Sequence, residues 1–154
     1  MSSITIIAIA KEAREEHLPL LIEADPNEAL VKEYLHHGDL FIIKREQRII
    51  GVSLFTFPKP RTVELKNIAI KSTIRNQGYG KAVIQQATDL YKQRGYQEII
   101  VGTANSSIDN IAFYQKLGFR LVDIEPDFFI NYPIPLYENG IPTRDRLIFV
   151  KRIT

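Results

Sequence analysis

Seven consecutive residues, Arg75-Asn76-Gln77-Gly78-Tyr79-Gly80-Lys81, combine two glycines with two cations directly ahead of an amphipathic stretch. Glycine lets a backbone approach a ligand closely and reach positive φ. If the amphipathic stretch is a helix, its first N–H groups lack partners and sit at the positive end of the helix dipole. Arg75 and Lys81 add charge. The chemistry this suits is binding of phosphate groups.

Spacing narrows the choice of phosphate ligand. A nucleotide-binding P-loop needs a glycine four residues before Gly-Lys-Ser/Thr, but position 75 is arginine and Lys81 is followed by Ala82. A dinucleotide fingerprint needs a third glycine where Val83 stands, and normally follows a first strand. Arg-x-x-Gly-x-Gly remains. It resembles the acetyl-CoA signature of the GNAT family, the GCN5-related N-acetyltransferases. A tight strand-to-helix turn without ligand is the alternative.

Two further segments carry the same resemblance. Asn67-Ile68-Ala69-Ile70 precedes the turn at the family's spacing, and Ala112-Phe113-Tyr114-Gln115-Lys116-Leu117-Gly118-Phe119 is similar to the family's second signature. The order of elements matches from about Ile4 to Ile153. The segment from Asn105 through Glu138-Asn139-Gly140 and Arg144-Asp145-Arg146 resembles a small bacterial subgroup whose acceptor is unassigned. One departure is that Ser107 and Asn110 occupy positions where many members have Asn-x-x-Ala.

The resemblance implies an N-acetyltransferase that moves an acetyl group from acetyl-CoA to a primary amine within a ternary complex. It implies that backbone N–H groups of Asn76, Gln77, Gly78, Tyr79, Gly80 and Lys81 grip the pyrophosphate, with Arg75 beside them. The fourth and fifth strands then splay apart, so that the backbone of Ile68, Ala69 and Ile70 meets the pantetheine arm. The Ile70 N–H faces the thioester oxygen, and Asn105 or Asn110 supplies a further pantetheine contact. Tyr114 is the implied general acid toward the thiolate; Ile111, Tyr114 and Leu117 share a helical stripe, so a core tyrosine is its alternative. Glu64, six residues before Ile70, is the candidate general base. Strand alternation would set it on one face with Lys66, Ile68 and Ile70. A surface carboxylate paired with Lys66 is the competing reading. A non-catalytic acyl-CoA-binding sensor or scaffold is the alternative function.

The elements that must position these groups read as a mixed α/β domain in the order β-α-α-β-β-β-α-β-α-β-β. The expected strands are Ile4–Ile9, Leu40–Lys44, Ile49–Phe57, Thr62–Ile70, Glu98–Thr103, Phe119–Ile124 and Leu147–Ile153. The expected helices are Glu12–Ala24, Glu28 to about His37, Gly78–Arg94 and Ser107–Leu117, with Asn27 capping the second. Pro58 and Pro60 should stop the third strand. Glu125–Arg146 shows neither helical nor strand period, and loops of that length are usually functional.

Bulk composition excludes other classes. The 154 residues suit one domain, residues 1–154, and the net charge of +2 is too small for a nucleic-acid partner. There are no cysteines, and His36 and His37 are adjacent on a helix, so they point apart and no metal site is expected. No apolar run approaches the roughly 20 residues of a membrane span. A cytoplasmic location with no membrane partner follows as the expectation.

The amine is the least legible part. In the family the first two helices and the loop before the last strand select it. Here Phe128, Phe129, Tyr132 and Tyr137 could wall a pocket, and Asp127 and Glu138 could attract a cationic small-molecule or protein amine. Alternatively, these aromatics pack into the core or against a second copy in a homodimer.

Overall fold

β-Branched and apolar residues in Thr5–Ala8 form the first strand, β1. The computed structural model describes residues 3–75 and 77–154. After two 3₁₀ turns come the helices α1 (Leu18–Ala24) and α2 (Glu28–Tyr34). A hairpin of β2 (Asp39–Arg45) and β3 (Arg48–Lys59) leads into β4 (Thr62–Ile70). α3 (Tyr79–Gln93), β5 (Glu98–Ala104), α4 (Ile108–Lys116) and β6 (Arg120–Glu125) follow. A small hairpin of β7 (Tyr137–Glu138) and β8 (Ile141–Pro142) precedes β9 (Arg146–Arg152).

Seven strands form one sheet in the order β1-β2-β3-β4-β5-β9-β6. All its pairings are antiparallel except β4–β5, the parallel pair that α3 connects. Alternation along the strands gives the sheet two apolar faces. Leu40, Val52, Leu54 and Ala69 pack with Leu21, Val31, Tyr34 and Leu35 of the α1–α2 region. Phe41, Phe55, Val63, Leu65, Ile99, Val101 and Phe149 pack with Ile84, Ala87, Tyr91 and Tyr114 of α3 and α4.

Several elements differ from the sequence expectation, each for a local reason. The expected helix from Glu12 is replaced by 3₁₀ turns up to His17, and the α-helix starts beside Pro19, which suits only a first turn. The second helix stops at Tyr34 because the buried Arg14 guanidinium takes its terminal carbonyls, donating to Leu35 and His37 at 2.9 Å and Gly38 at 2.8 Å. Gly38 itself has φ +60°, and a Cβ there would sit 1.9 Å from the Phe55 carbonyl oxygen. β3 runs past Pro58 to Lys59, because the proline falls where the register shifts and no ladder N–H is required.

The irregularity that matters for function lies in β4. Opposite the neighbouring pair Phe55 and Leu54 of β3 stand Leu65 and Asn67, so Lys66 is an extra residue, a β-bulge. A one-residue insertion exchanges the two faces of everything beyond it. Val63 and Leu65 face α3 and α4, yet beyond the bulge Ile68 and Ile70 face that side and Ala69 faces α1–α2. The expectation that Glu64, Lys66, Ile68 and Ile70 share a face is therefore corrected. Glu64 stands opposite in sense to Val63 and Leu65, on the side of α1–α2, while Ile68 and Ile70 turn to the other side.

The candidate active site

The bulge coincides with the end of strand pairing. β4 and β5 are paired from Thr62–Glu98 to Leu65–Val101, after which β4 continues to Ile70 and β5 to Ala104 with no rung between them. A bulged strand bends and twists more strongly, which separates it from a parallel neighbour. The result is a wedge-shaped cleft with two open backbone edges. On the far side of β4, Lys71 donates to the Ile50 carbonyl of β3 at 2.9 Å. Alternation in an antiparallel pair then turns the N–H groups of Ile68 and Ile70 away from β3, toward the cleft. Ala69 turns back toward β3, so its backbone does not face the cleft.

At one end of the cleft lies the glycine turn. Gly78 adopts φ +80° at the N-cap of α3, and no side chain caps the helix. The opening N–H groups of this fifteen-residue helix are left for a ligand. Gly80 has room around it: an added Cβ would meet only Phe113 Cζ, at 3.4 Å. Lys81 is exposed. Tyr79 is buried, and its hydroxyl accepts from Arg45 and donates to Gln77 Oε1 at 3.4 Å, so only its backbone faces a ligand. Arg75 is folded back: its Nε donates to the Ile70 carbonyl at 2.9 Å, and its Nη2 lies 3.8 Å from Glu23. Asn76 lies outside the described residues.

Tyr114 lines the cavity where the cleft widens. It is 6% exposed, with its ring against Phe113, Phe119 and Phe149 at centroid distances of 5.2, 5.5 and 6.4 Å. Among the described residues no hydrogen bond engages its hydroxyl. Burial pushes the phenol up to about 12. Asn110 lines the same cavity and donates to Thr103 Oγ1 at 3.4 Å. Asn105, the other residue expected to contact pantetheine, does not line the cavity and is engaged by the last loop. Its Oδ1 accepts from the N–H groups of Arg144 (2.8 Å) and Asp145 (3.0 Å), and its Nδ2 donates to the Pro142 carbonyl (3.1 Å). It is a tether for the last loop.

Glu64 is 8% exposed, and it is not part of the cavity lining. Arg146 lies in the lining instead, donating through Nη2 to Glu64 Oε2 at 2.6 Å and through Nη1 to Glu125 Oε1 at 2.5 Å. Lys66 Nζ approaches the same Glu64 oxygen at 3.7 Å. The carboxylate read as a base thus sits behind a guanidinium. Gly102 leaves space for that guanidinium, since a Cβ there would fall 2.1 Å from Arg146 Nε.

The loop of residues 126–145 closes the opposite wall. It contains the β7–β8 hairpin, which the sequence reading did not recognise; Asn139 and Gly140 both have positive φ, the pattern of a type I′ turn. Phe128, Phe129 and Tyr132 form a mutually packed ring cluster on the cavity. Tyr137 is 66% exposed and takes no part in that wall. Asp127 is held outside by Arg144 at 2.8 Å. Glu138 does reach the cavity, accepting from the hydroxyls of Ser106 (3.3 Å) and Ser107 (2.7 Å).

One cavity group carries no signal in the sequence. Asp25 accepts from Tyr34 Oη at 3.0 Å and from Tyr132 Oη at 2.8 Å. Tyr34 in turn accepts from Asn67 Nδ2 at 2.9 Å. Burial raises both phenols well above their ordinary value. The Tyr132 bond spans 107 residues of sequence, a separation no local pattern encodes.

Among the described residues no group of three or more His, Asp or Glu side chains could hold a metal ion, and no helix is long and apolar enough to cross a membrane.

Known proteins identify the family independently of this geometry. Residues 6–119 match the acetyltransferase (GNAT) family. The chain is 38% identical over 140 residues to the uncharacterized N-acetyltransferase YvbK of Bacillus subtilis (strain 168), covering 90% of each chain. A GNAT family acetyltransferase from Elizabethkingia anophelis, solved with acetyl-CoA bound, superposes with a TM-score of 0.91 at 35% identity over 99% of both chains. A Bacillus subtilis acetyltransferase in complex with CoA superposes with a TM-score of 0.86 at 34% identity, again over 99% of both. With acetyl-CoA as its acetyl donor, the chain belongs to the GNAT family of acetyltransferases.

Proposed function

We propose that the chain acetylates the primary amine of a small molecule, which enters the cavity from the α1–α2 side while acetyl-CoA occupies the cleft from the other. The observation that carries this reading is the loss of β4–β5 pairing beyond Leu65 and Val101. It leaves a strand-length backbone edge for the pantetheine arm, with Tyr114 at its end. The cavity, about 210 Å³ and partly open, is walled on one side by the aromatic loop, which suits a small amine better than a protein chain.

In this reading the N–H groups of Gln77 to Lys81, with that of Asn76, hold the pyrophosphate. Ile68 and Asn110 hold the pantetheine arm. The neutral amine attacks the thioester carbon, and the Ile70 N–H supports the oxyanion, a contribution of about 3–4 kcal/mol. The C–S bond then breaks. Tyr114 donates a hydrogen bond to the departing thiolate, while water in the cavity carries away the amine proton. Glu64 is assigned the holding of Arg146, since its Oε2 is already engaged there.

A homodimer is supported by β6, an edge strand with exposed Leu121, Val122 and Ile124. An antiparallel second copy would set Arg120 against Glu125 and Leu121 against Ile124, with Val122 against Asp123 between them. Sedimentation of the wild type against Leu121→Lys tests it; a monomeric wild type refutes it. The absence of cysteine suits a cytoplasmic setting.

The central test is calorimetric titration with acetyl-CoA followed by thiol release over a broad panel of amines. Tight binding with turnover of a small amine is expected. Binding without turnover on any amine would favour a non-catalytic sensor, and no binding would remove both readings.

A further inference from the structure

We propose that the acceptor is a dication, and that Asp25 seats the ammonium that does not react. The proposal rests on the acetyl-transfer reading and extends it to the class of amine.

The charges around the cavity make the case. Two cations line it, and each is already matched. Arg146 bridges Glu64 and Glu125, and Lys66 lies 3.7 Å from Glu64 with its Nζ 5.5 Å from the Tyr34 ring centre. Glu138 is matched differently: it accepts from two serine hydroxyls at the start of α4, the positive end of that helix. Asp25 is met by no opposite charge. It is the C-cap of α1 and stands just before Asn27, the N-cap of α2, so the two helix ends offset each other, and no cation lies within ion-pair distance of it among the described residues. Its partners are the phenols of Tyr34 and Tyr132 and the Asn27 N–H at 3.4 Å. That leaves a carboxylate on the cavity wall held by hydrogen-bond donors and by no cation.

A second group points to the same ligand. Asn67 is 6% exposed and lines the cavity, and its Oδ1 is buried without a hydrogen-bond partner. The amide cannot flip to cure this, because Nδ2 is the atom facing the Leu21 carbonyl at 3.0 Å. Asn67 and Asp25 flank one phenol, that of Tyr34, which bonds to both. An ammonium brings three donors and no acceptor, which fits a cavity lined by both a carboxylate and an unsatisfied amide carbonyl. Phe129 and Tyr132 line the same cavity, with the Tyr132 hydroxyl directed at Asp25.

The bound charge is the one that persists. The reacting nitrogen must lose a proton before attack, whereas the two phenolic hydrogen bonds fix the position of the Asp25 carboxylate that would meet the persisting charge. A monoamine leaves the seat empty, and an amino acid brings a carboxylate against it.

The test uses the full chain with saturating acetyl-CoA and three acceptors of equal length: diaminobutane, aminobutanol and aminobutyrate. Diaminobutane should exceed aminobutanol in kcat/KM by about 10- to 100-fold, the range of a charge-assisted hydrogen bond, with aminobutyrate last. Asp25→Asn should erase that preference through KM for diaminobutane, with kcat and acetyl-CoA affinity holding and aminobutanol nearly unaffected. Tyr132→Phe should shift KM in the same direction by less. Equal treatment of the three acceptors by the wild type, with turnover, overturns this inference alone. Equal loss of diaminobutane and aminobutanol in Asp25→Asn overturns it too. No thiol release from these three with turnover of another, singly charged amine in the broad panel overturns this inference alone; no release across the whole panel, despite acetyl-CoA binding, removes the acetyl-transfer reading with it.

Discussion

Replacing Tyr114 by phenylalanine separates chemistry from packing in one step. The ring contacts with Phe113, Phe119 and Phe149 survive, and only a hydroxyl without a hydrogen-bond partner among the described residues is removed. Stability should therefore stay within about 1 kcal/mol of wild type, a Tm change of roughly 2–4 °C for a chain of this size. The catalytic loss has a calculable ceiling. With the phenol pushed up to about 12, fewer than about one molecule in 10⁵ is ionised at neutral pH, so the donor is always present. A thiol has a pKa of about 8.5, so complete proton transfer from Tyr114 to the thiolate would be uphill by roughly 3–4 units, about 5 kcal/mol. The residue is better suited to donate a hydrogen bond to the departing sulfur than to surrender its proton. A hydrogen bond to a charged group is worth about 1.5–3 kcal/mol, so kcat should fall by roughly 10- to 100-fold, below the 10⁴ upper range of general acid catalysis. The assay is thiol release under saturating acetyl-CoA and amine, with acetyl-CoA affinity measured separately by calorimetry. A kcat within twofold of wild type would refute the assignment. So would a kcat loss accompanied by an equal loss of acetyl-CoA affinity, which would make Tyr114 a binding residue.

Three other outcomes follow from the same geometry. Burial raises Tyr114, Tyr34, Tyr91 and Tyr132, so the folded chain retains protons that the unfolded chain releases above about pH 10. Stability should be intact below about pH 10 and fall as pH rises beyond it, by about 2–3 kcal/mol at pH 12 from Tyr114 alone; an unchanged urea midpoint from pH 8 to 11 would contradict this. Gly80→Val should leave the thermal transition near wild type, because a Cβ there meets only Phe113 Cζ at 3.4 Å, yet remove calorimetric acetyl-CoA binding by filling the phosphate space. Glu64→Gln should cost up to about 3–5 kcal/mol of stability by leaving Arg146 with one carboxylate, with kcat changing only severalfold. A large kcat loss at unchanged stability would restore Glu64 as the base.

What was legible in the sequence is what short-range chemistry encodes. The Gly78–Lys81 turn and α3 behind it are local features, as is the helix carrying Tyr114, and all stand where the spacing predicts. The Asn139-Gly140 turn was equally local, but its flanking strands are two residues each, too short to show a period. Arg14 capping α2, Asn105 tethering Arg144 and Asp145, and Tyr132 reaching Asp25 are bonds across 21 to 107 residues. Composition near either partner carries no trace of the other.

The bulge at Lys66 explains why the donor and acceptor sides differ so much in legibility. Leu65-Lys66-Asn67 contains no glycine or proline to announce it, and the flanking residues read as one uninterrupted strand. Without the insertion, strict alternation would keep Asn67 and Ala69 on the face of Val63 and Leu65, so Asn67 would turn away from Tyr34, Ile68 would join Glu64 on the α1–α2 side, and β4 would have no reason to leave β5. With it, the cleft opens at Leu65–Val101 and Asn67 and Ala69 face α1–α2. One residue of register thus both creates the donor cleft and decides which side chains the acceptor meets. The glycine turn is a property of its own residues. The acceptor wall is a property of how β4 is set against β3, which is why Asp25 and Asn67, and not Glu64, come to line it.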